Sequence, residues 1–226
     1  MIGQAAAPLR RRKDARPREL LSAAMSLFVQ KGFAATRTDE IAERAGVSKG
    51  TLYLYFDHKE ALFTALVAES FFCEFPFESA PALEGRQGSA ILQDVVTTWR
   101  SALVEGPVGG VVKLVFTEVH HFPVLADLWV RRILAPTRAV VHEAVQRGVA
   151  EAQFRAVDPE LVMNALVLPV IATCLHRHAI GPHLSSTSFD EPGGMPACTL
   201  DLLLQGLTNR ATAGRTTVFS TCGSPT

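Results

Sequence analysis

The chain has 226 residues, 48% of them apolar, and its 22 Lys and Arg balance 22 Asp and Glu. Such a sequence can bury a sizeable core, which excludes an intrinsically disordered chain, and its length suits one large or two modest domains. The charge is unevenly divided, because residues 1–60 hold 11 Lys and Arg against 7 Asp and Glu and the remainder is acidic. A basic end on a neutral protein indicates where a nucleic acid would bind.

The N-terminal residues 1–13 are small and then abruptly basic, ending in the run from Arg10 to Lys13. They contain no apolar segment long enough for a signal peptide. We predict a flexible basic arm that seeks phosphates and reaches into an adjacent minor groove; a merely solvated tail is the alternative. A helix is predicted over residues 14–31, where apolar residues recur at steps of three and four before Gly32.

Residues 36–62 have the pattern of two short helices joined by a tight turn and followed by a third helix. Thr36 is the expected cap of the first helix, and Gly46 lies where a left-handed residue ends it. Ser48 can accept hydrogen bonds from the amides that open the second helix, which is predicted to run to about Phe56. An ordinary helical hairpin has the same outline, whereas a helix-turn-helix places its second helix in the major groove of DNA.

The side chains of the second helix favour the DNA-reading alternative. This helix and its end carry a cation, a hydroxyl, two phenols and a glycine that permits close backbone approach: Lys49, Thr51, Tyr53, Tyr55 and Gly50. Groups of these types bind phosphate oxygens and contact base edges or thymine methyls. We therefore predict that all five residues face outward into the groove.

The run DEIAERAGVSKGTLYLYFDHKEALF resembles the DNA-binding signature of the tetracycline-repressor (TetR) family of bacterial transcription regulators, and the likeness extends from about residue 15 to 66. We assign DNA contacts to the five residues above and to Ser48, with flanking contacts from Thr36, Arg37, His58 and Lys59. The family often has a small hydroxyl residue where this chain has Arg37. That arginine either adds a phosphate contact or is merely solvated.

Beyond this motif the sequence predicts only helices. The helix that Asp57 is expected to cap runs on to Phe71 and Phe72 and joins the DNA-binding domain, residues 14–60, to a body of residues 61–209. Further helices are predicted near 90–103, 108–121, 124–146, 159–178 and 197–207, with loops at 78–90 and 181–196 and a disordered tail at 210–226. Pro136 should bend the third of these helices. The predicted fold is all-α, with an N-terminal three-helix DNA-binding domain and a C-terminal ligand-binding and dimerisation domain.

Two of the predicted helices, near 160–178 and 197–207, are too apolar for a protein surface. A reader of palindromic DNA needs two recognition helices about one helical turn, ~34–36 Å, apart, and a two-fold axis supplies them. The TetR resemblance implies that these two helices form the four-helix bundle of a homodimer on a double-stranded palindromic operator. Packing within the chain's own core is the alternative.

The resemblance also implies an apolar pocket in the body for a small-molecule effector that releases a repressor from its operator. Candidate residues for its wall are Trp99, Phe116, His120 and Trp129. By composition alone, aromatic residues at helical spacing are more often core than pocket. The pocket is therefore an expectation from the resemblance, and its effector is unknown.

Catalysis, metal binding and membrane insertion are not expected. The adjacent His120 and His121 point to different helix faces, His142 lacks the second histidine of a zinc-protease helix, and no phosphate-binding loop or nucleophile elbow is present. The four cysteines lack zinc-site spacing and are interpreted as buried thiols. The longest apolar stretch, 161–175, is shorter than the ~20 residues of a membrane span. We predict a cytoplasmic protein without a cofactor; a helical ligand-binding protein or an enzyme without specific DNA binding is the alternative.

Overall fold

The computed structural model describes residues 9–74, 85–183 and 194–208, and these residues are predominantly helical. In these residues the α-helices are α1 (Leu9–Lys31), α2 (Thr38–Arg44), α3 (Lys49–Tyr53), α4 (Lys59–Glu74), α5 (Gly88–Trp99), α6 (Val108–Glu118), α7 (Val124–Trp129), α8 (Ala135–Ala150), α9 (Pro159–Leu175) and α10 (Gly194–Leu207). Within the described ranges the one extended pairing is a bridge between Phe154 and Thr208. The predicted all-α fold is confirmed.

An aromatic cluster forms the core of the N-terminal unit and joins it to the body. The ring of Phe63 lies 5.3 Å from that of Phe28 and 5.0 Å from that of Phe33, centroid to centroid. Phe122, from the segment after α6, lies 4.9 Å from Phe33 and 5.6 Å from Phe63. Each such pair contributes about 0.5–1.5 kcal/mol beyond area burial, so these four rings fasten α1 and α4 to the body.

Close backbone packing adds a second joint, where α6 passes between α1 and the end of α9. A Cβ added to Gly110 would lie 2.7 Å from Val29 Cγ1, and Lys113 Nζ donates to the Val29 carbonyl at 3.4 Å. A Cβ added to Gly109 would lie 2.1 Å from His178 Nε2, which donates to the Leu103 carbonyl at 3.1 Å. Burial lowers the pKa of His178, so the neutral imidazole is favoured at this joint.

The body is built around α5, α8, α9 and α10, which pack against one another. Its largest buried side chain, Trp99, donates its indole N–H to Thr137 Oγ1 at 3.2 Å, and both residues are inaccessible to solvent. A buried indole N–H without a partner would be costly, so this bond fixes the ring in place.

Three helices of the body change to π-helical geometry without a break. These stretches are Arg100–Glu105 after α5, Val130–Leu134 after α7 and His176–Ile180 after α9. The predicted helix over 124–146 is therefore a continuous run from Val124 to Ala150. Pro136 lies at the start of α8, directly after the π-helical stretch, and the helix continues through it.

The N-terminal prediction needs a correction. Helix α1 begins at Leu9, so residues 9–13 are helical in backbone rather than part of a flexible arm. Residues 1–8, most of the predicted loop 78–90 and the predicted tail 210–226 lie outside the described residues.

Helix α9 is longer than its apolar stretch suggests. With the turns that follow it forms one helix, Pro159–His183, of 25 residues with a mean hydropathy of 1.5 in its most apolar window. By length and composition this helix could cross a bilayer, so the expectation that the stretch is too short is wrong. It packs against α5, α6, α8 and α10, which is the environment of a core helix. Its start is as predicted, because Asp158 Oδ1 accepts from the Glu160 N–H at 2.9 Å.

The two cysteines whose surroundings are described differ from each other. Cys174 is buried in α9 with its Sγ 3.6 Å from the Gly109 carbonyl, and burial raises the pKa of its thiol to about 12. Cys198 in α10 is exposed, so the expectation of buried thiols is wrong for it.

Candidate nucleic-acid interface

The start of α2 differs from the predicted one. Thr36, the predicted cap and phosphate contact, is only 1% exposed, and its Oγ1 donates to the Gly32 carbonyl at 2.7 Å. The cap position belongs to Arg37, whose N–H donates to the Glu40 carboxylate at 3.3 Å. Both predictions for Thr36 are therefore wrong: its hydroxyl is satisfied inside the protein and ties the end of α1 to the start of α2.

The turn between α2 and α3 follows the predicted pattern. Gly46 has a φ of 66°, the left-handed conformation that ends a helix, and the Val47 N–H donates to the Ala42 carbonyl at 2.9 Å. Ser48 Oγ then accepts from the Thr51 N–H at 3.1 Å and caps α3. The buried Leu52 anchors the helix to the core below, so the opposite face of α3 points outward.

That outward face carries most of the predicted groove contacts. Lys49 has 55% of its side chain exposed, and Gly50 beside it is exposed as well. The Thr51 hydroxyl lies 2.9 Å from that of Ser48. Tyr53 is 41% exposed, and its hydroxyl lies 3.2 Å from Thr38 Oγ1 on α2. The structure thus brings five predicted residues, from Ser48 to Tyr53, onto one polar surface.

Tyr55 does not lie where the sequence predicts it, and Leu54 takes the exposed position instead. Helix α3 ends at Tyr53, so Tyr55 lies beyond it and packs, partly buried, against the core. Leu54 instead has 83% of its surface exposed. The prediction that Tyr55 faces outward is wrong, and Leu54 is a candidate that it missed. The four-residue step from Gly50 to Leu54 is the sequence signal that could have found it.

At the start of α4, His58 and Lys59 have structural partners. His58 Nδ1 accepts from the Ala61 N–H at 2.9 Å, so His58 caps α4 in place of the predicted Asp57. Lys59 Nζ donates to the carbonyls of Phe33 at 2.9 Å and Thr36 at 3.0 Å, and lies 4.3 Å from the Phe33 ring centroid. The free carbonyls of the turn after α1 attract the ammonium. Lys59 therefore does not extend toward a phosphate in this structure.

The remaining cations of the surface pair with acids in the first turn of α2. Asp39 lies 2.6 Å from Lys49 Nζ and 3.4 Å from the Arg37 guanidinium, and Glu40 lies 2.8 Å from Lys31 Nζ. The hydrogen bond from Lys49 holds the pKa of Asp39 below its ordinary value, and the same contact raises the pKa of Lys49. In the free protein the carboxylates of α2 thus neutralise part of the positive charge of this surface.

The candidate effector residues do not share one environment. Trp99 and Trp129 are buried with ring centroids 6.0 Å apart, and Phe116, 43% exposed, lies 5.5 Å from Trp129. His120 is exposed, and its ring lies 3.7 Å from that of His121, centroid to centroid, at a tilt of 44°.

Two cavities in the described part of the chain lie elsewhere, along α1. Their volumes are about 210 Å³ and 500 Å³, and both are lined by Ser22, Met25 and Pro107. Neither is lined by any of the four candidate effector residues, so that assignment stays a prediction.

Comparison with known proteins agrees with this geometry. The profile described as "Bacterial regulatory proteins, tetR family" matches residues 20–66, and that described as "Tetracyclin repressor-like, C-terminal domain" matches residues 90–186. The chain belongs to the TetR family. It is a helix-turn-helix transcription regulator. The matched residues 20–66 include α2, the turn at Gly46 and α3.

Relatives of this TetR-family protein share most of its length. It is 28% identical over 167 residues to the transcriptional regulator YdeS of Bacillus subtilis, covering 70% of this chain and 80% of YdeS. Identity is also 28% over 159 residues with the transcriptional repressor KstR2 of Rhodococcus jostii, covering 68% and 76%. A transcriptional regulator from Saccharomonospora viridis, solved in complex with choline, has a TM-score of 0.68 at 17% identity, covering 88% of this chain and all of that one. This last likeness shows the TetR fold alone.

Proposed function

We propose that this TetR-family regulator is a homodimeric repressor in the cytoplasm that binds a palindromic operator and leaves it when a small molecule binds the body. The observation that carries the DNA-binding part is the outward face of α3, which is polar and backed by the buried Leu52. A transcription regulator whose sequence aligns with 70% of this chain favours the same role for it. We assign the chain no catalytic step.

The proposed base and backbone contacts come from Ser48, Lys49, Gly50, Thr51 and Tyr53. Hydroxyl and ammonium groups bind phosphates and base edges, and a glycine admits close approach. We add Leu54, which is 83% exposed and offers an apolar surface to a thymine methyl or a sugar.

Arg37, with 76% of its side chain exposed, is the proposed flanking phosphate contact. His58, whose side chain is 64% exposed, contributes through Nε2 because its Nδ1 caps α4. We leave out Lys59 and Thr36 because both have partners inside the protein. The proposed DNA-binding domain accordingly ends where α4 begins, near residue 60, and residues 61–209 form the regulatory body.

The proposed dimer uses α9 and α10. Leu161 and Leu168 are 60% and 59% exposed and lie seven residues apart, on one face of α9, and Leu202 of α10 is 69% exposed. Burying a leucine that is otherwise exposed contributes about 1.5–3 kcal/mol, so covering this face with its copy in a second chain is favourable. A two-fold axis through it supports the spacing that a palindrome requires.

The proposed effector acts through its preference for the form that does not bind DNA. A 100-fold preference shifts the equilibrium by ~2.7 kcal/mol. The structural neighbour from S. viridis was solved in complex with choline, which favours a small-molecule effector for this chain as well. Trp99, Phe116, His120 and Trp129 remain our candidates.

Selection of bound fragments from the source genome tests the function, followed by mobility-shift assays on the recovered site. We expect one or a few palindromic sites retained at physiological salt. Tyr53→Ala should weaken operator binding by about 1–3 kcal/mol, because it removes an exposed phenol from the outward face. Tyr55→Phe is the control, since that ring is packed against the core and only its hydroxyl is lost. Equal retention of all fragments, or a Tyr53→Ala variant with wild-type affinity, would contradict the assignment of α3 to the groove.

A further inference from the structure

The first turn of α2 places a carboxylate between two cations of the DNA-reading surface. Asp39 Oδ1 lies 2.6 Å from Lys49 Nζ, and Asp39 Oδ2 lies 3.4 Å from the Arg37 guanidinium. All three side chains are at least 44% exposed, whereas the Asp39 oxygen that faces Lys49 is itself covered. Solvent and DNA can therefore reach the two cations, and a phosphate on Lys49 has to displace this oxygen. In the free protein the carboxylate holds the positions that a phosphate would take on the same two cations.

We propose that Asp39 is an internal competitor of DNA phosphate that limits the protein's affinity for DNA of any sequence. This inference rests on the proposed function. When a phosphate binds Lys49 or Arg37, the carboxylate must give up that partner and then recruit a cation from solution. Binding a phosphate releases counterions from DNA, and the cation that Asp39 takes up cancels part of this release.

The neighbouring acids of α2 are not equivalent. Glu40 accepts from the Arg37 N–H at 3.3 Å and pairs with Lys31 at 2.8 Å, so it holds the start of α2 against α1. Glu43 is exposed and forms no ion pair within the described ranges. Asp39 alone among these three contacts a cation of α3, which makes Glu43 a matched control for loss of one negative charge on the same helix.

The experiment compares the wild-type protein, Asp39→Asn, Glu43→Gln and the double variant Asp39→Asn with Lys49→Gln. Affinity is measured by fluorescence anisotropy on a random-sequence duplex and on the selected operator, from about 50 to 200 mM salt, the range over which phosphate contacts dominate. Thermal unfolding of each variant checks that its substitutions leave the fold intact.

Asp39→Asn should bind the random duplex about three- to tenfold more tightly at the lowest salt, the range that releasing two exposed ion pairs of ordinary strength allows. Its plot of log affinity against log salt should steepen by up to about 0.9, the value of one additional phosphate contact. Glu43→Gln should give a smaller gain without the change in slope. Adding Lys49→Gln should remove most of the gain that Asp39→Asn produces.

The outcomes separate this inference from the function on which it rests. The wild-type protein can prefer its operator while Asp39→Asn binds the random duplex no more tightly than Glu43→Gln does. That result overturns the inference and leaves the proposed function in place. If Asp39→Asn binds random DNA more tightly but no variant prefers the operator, the role of Asp39 as a competitor is supported and specific recognition of an operator is overturned. If the wild-type protein binds neither duplex, both are overturned.

Discussion

Gly50 occupies the second position of α3, where a larger side chain would meet little inside the protein. A Cβ added there would lie 3.8 Å from Ser48 Oγ, an ordinary van der Waals distance. Glycine is also a poor helix residue, destabilising by roughly 0.5–1 kcal/mol relative to alanine. Since the packing does not require glycine, its presence on the outward face fits close approach of DNA.

Replacing Gly50 with alanine should therefore have opposite effects on stability and on binding. The free energy of unfolding should rise by about 0.5 kcal/mol, because alanine favours the helix. The free energy of operator binding should become less favourable by about 1 kcal/mol or more, because the new methyl group holds the helix away from the groove. Denaturant titration and anisotropy on the operator measure the two effects. Unchanged operator affinity would show that the DNA does not approach this position.

The role of Lys59 depends on partners that are distant in the sequence. Its ammonium contacts carbonyls 23 and 26 residues earlier. This contact has no local pattern, so the sequence indicated a DNA-facing cation. The Ser48 cap, by contrast, contacts an amide three residues away and could be predicted from spacing alone.

At the scale of the elements, Lys59 holds the start of α4 against the turn between α1 and α2. Its ammonium contacts two carbonyls within 3.0 Å and lies over the Phe33 ring. Charge-assisted hydrogen bonds contribute about 1.5–3 kcal/mol each, and solvent reduces this value for a side chain that is only partly buried. Lys59 therefore holds α4, the helix that leads into the body, against the start of the helix-turn-helix motif.

Lys59→Met tests that role against the alternative of a phosphate contact. We expect the free energy of unfolding to fall by about 1–3 kcal/mol, because methionine keeps the length of the side chain and loses the charge. The salt dependence of DNA binding should stay at its wild-type slope. Lys49→Met is the matched variant, for which we expect a smaller slope with little change in stability; the decrease stays below about 0.9 because Asp39 cancels part of the counterion release at Lys49. A reduced slope for Lys59→Met would instead place this lysine on a phosphate.

Helix positions were predictable because their signals are local. Gly32 and Gly46 end helices in left-handed conformations, and Asp158 with Pro159 opens α9. The π-helical stretches were not predictable, since a π-turn differs from an α-turn in its hydrogen-bond partner and leaves the apolar pattern nearly unchanged. The same limit explains why Tyr55 was placed outward: the end of α3 at Tyr53 rotates every later side chain.

At the scale of the whole molecule, the exposed leucines of α9 and α10 are the observation on which the proposed dimer rests. Leu161, Leu168 and Leu202 each expose more than half of their surface on the two most apolar late helices of the chain. Scattered exposed leucines need no explanation, but several on adjacent helices indicate an interface.

Leu168→Glu should convert the proposed dimer to a monomer. A charge at the centre of an apolar interface loses its hydration without gaining a partner. Sedimentation at micromolar concentration should give the 24.4 kDa mass of one chain for the variant and twice that mass for the wild-type protein. Leu54→Glu is the control, because it places the same charge on an exposed leucine of the DNA-binding surface and should leave the mass unchanged. A wild-type protein that sediments as a monomer would contradict the proposed dimer.

The aromatic residues also divide the molecule into two optical compartments. The chain has two tyrosines, Tyr53 at the end of α3 and Tyr55 packed on the core of the N-terminal unit, and two tryptophans, Trp99 and Trp129, buried beside each other in the body. Excitation at the red edge of the absorption band therefore reports on the body alone, whereas tyrosine emission arises only from the N-terminal unit. Because the two signals separate spectrally, the unmodified protein can show in one titration whether a ligand changes the body, the N-terminal unit or both.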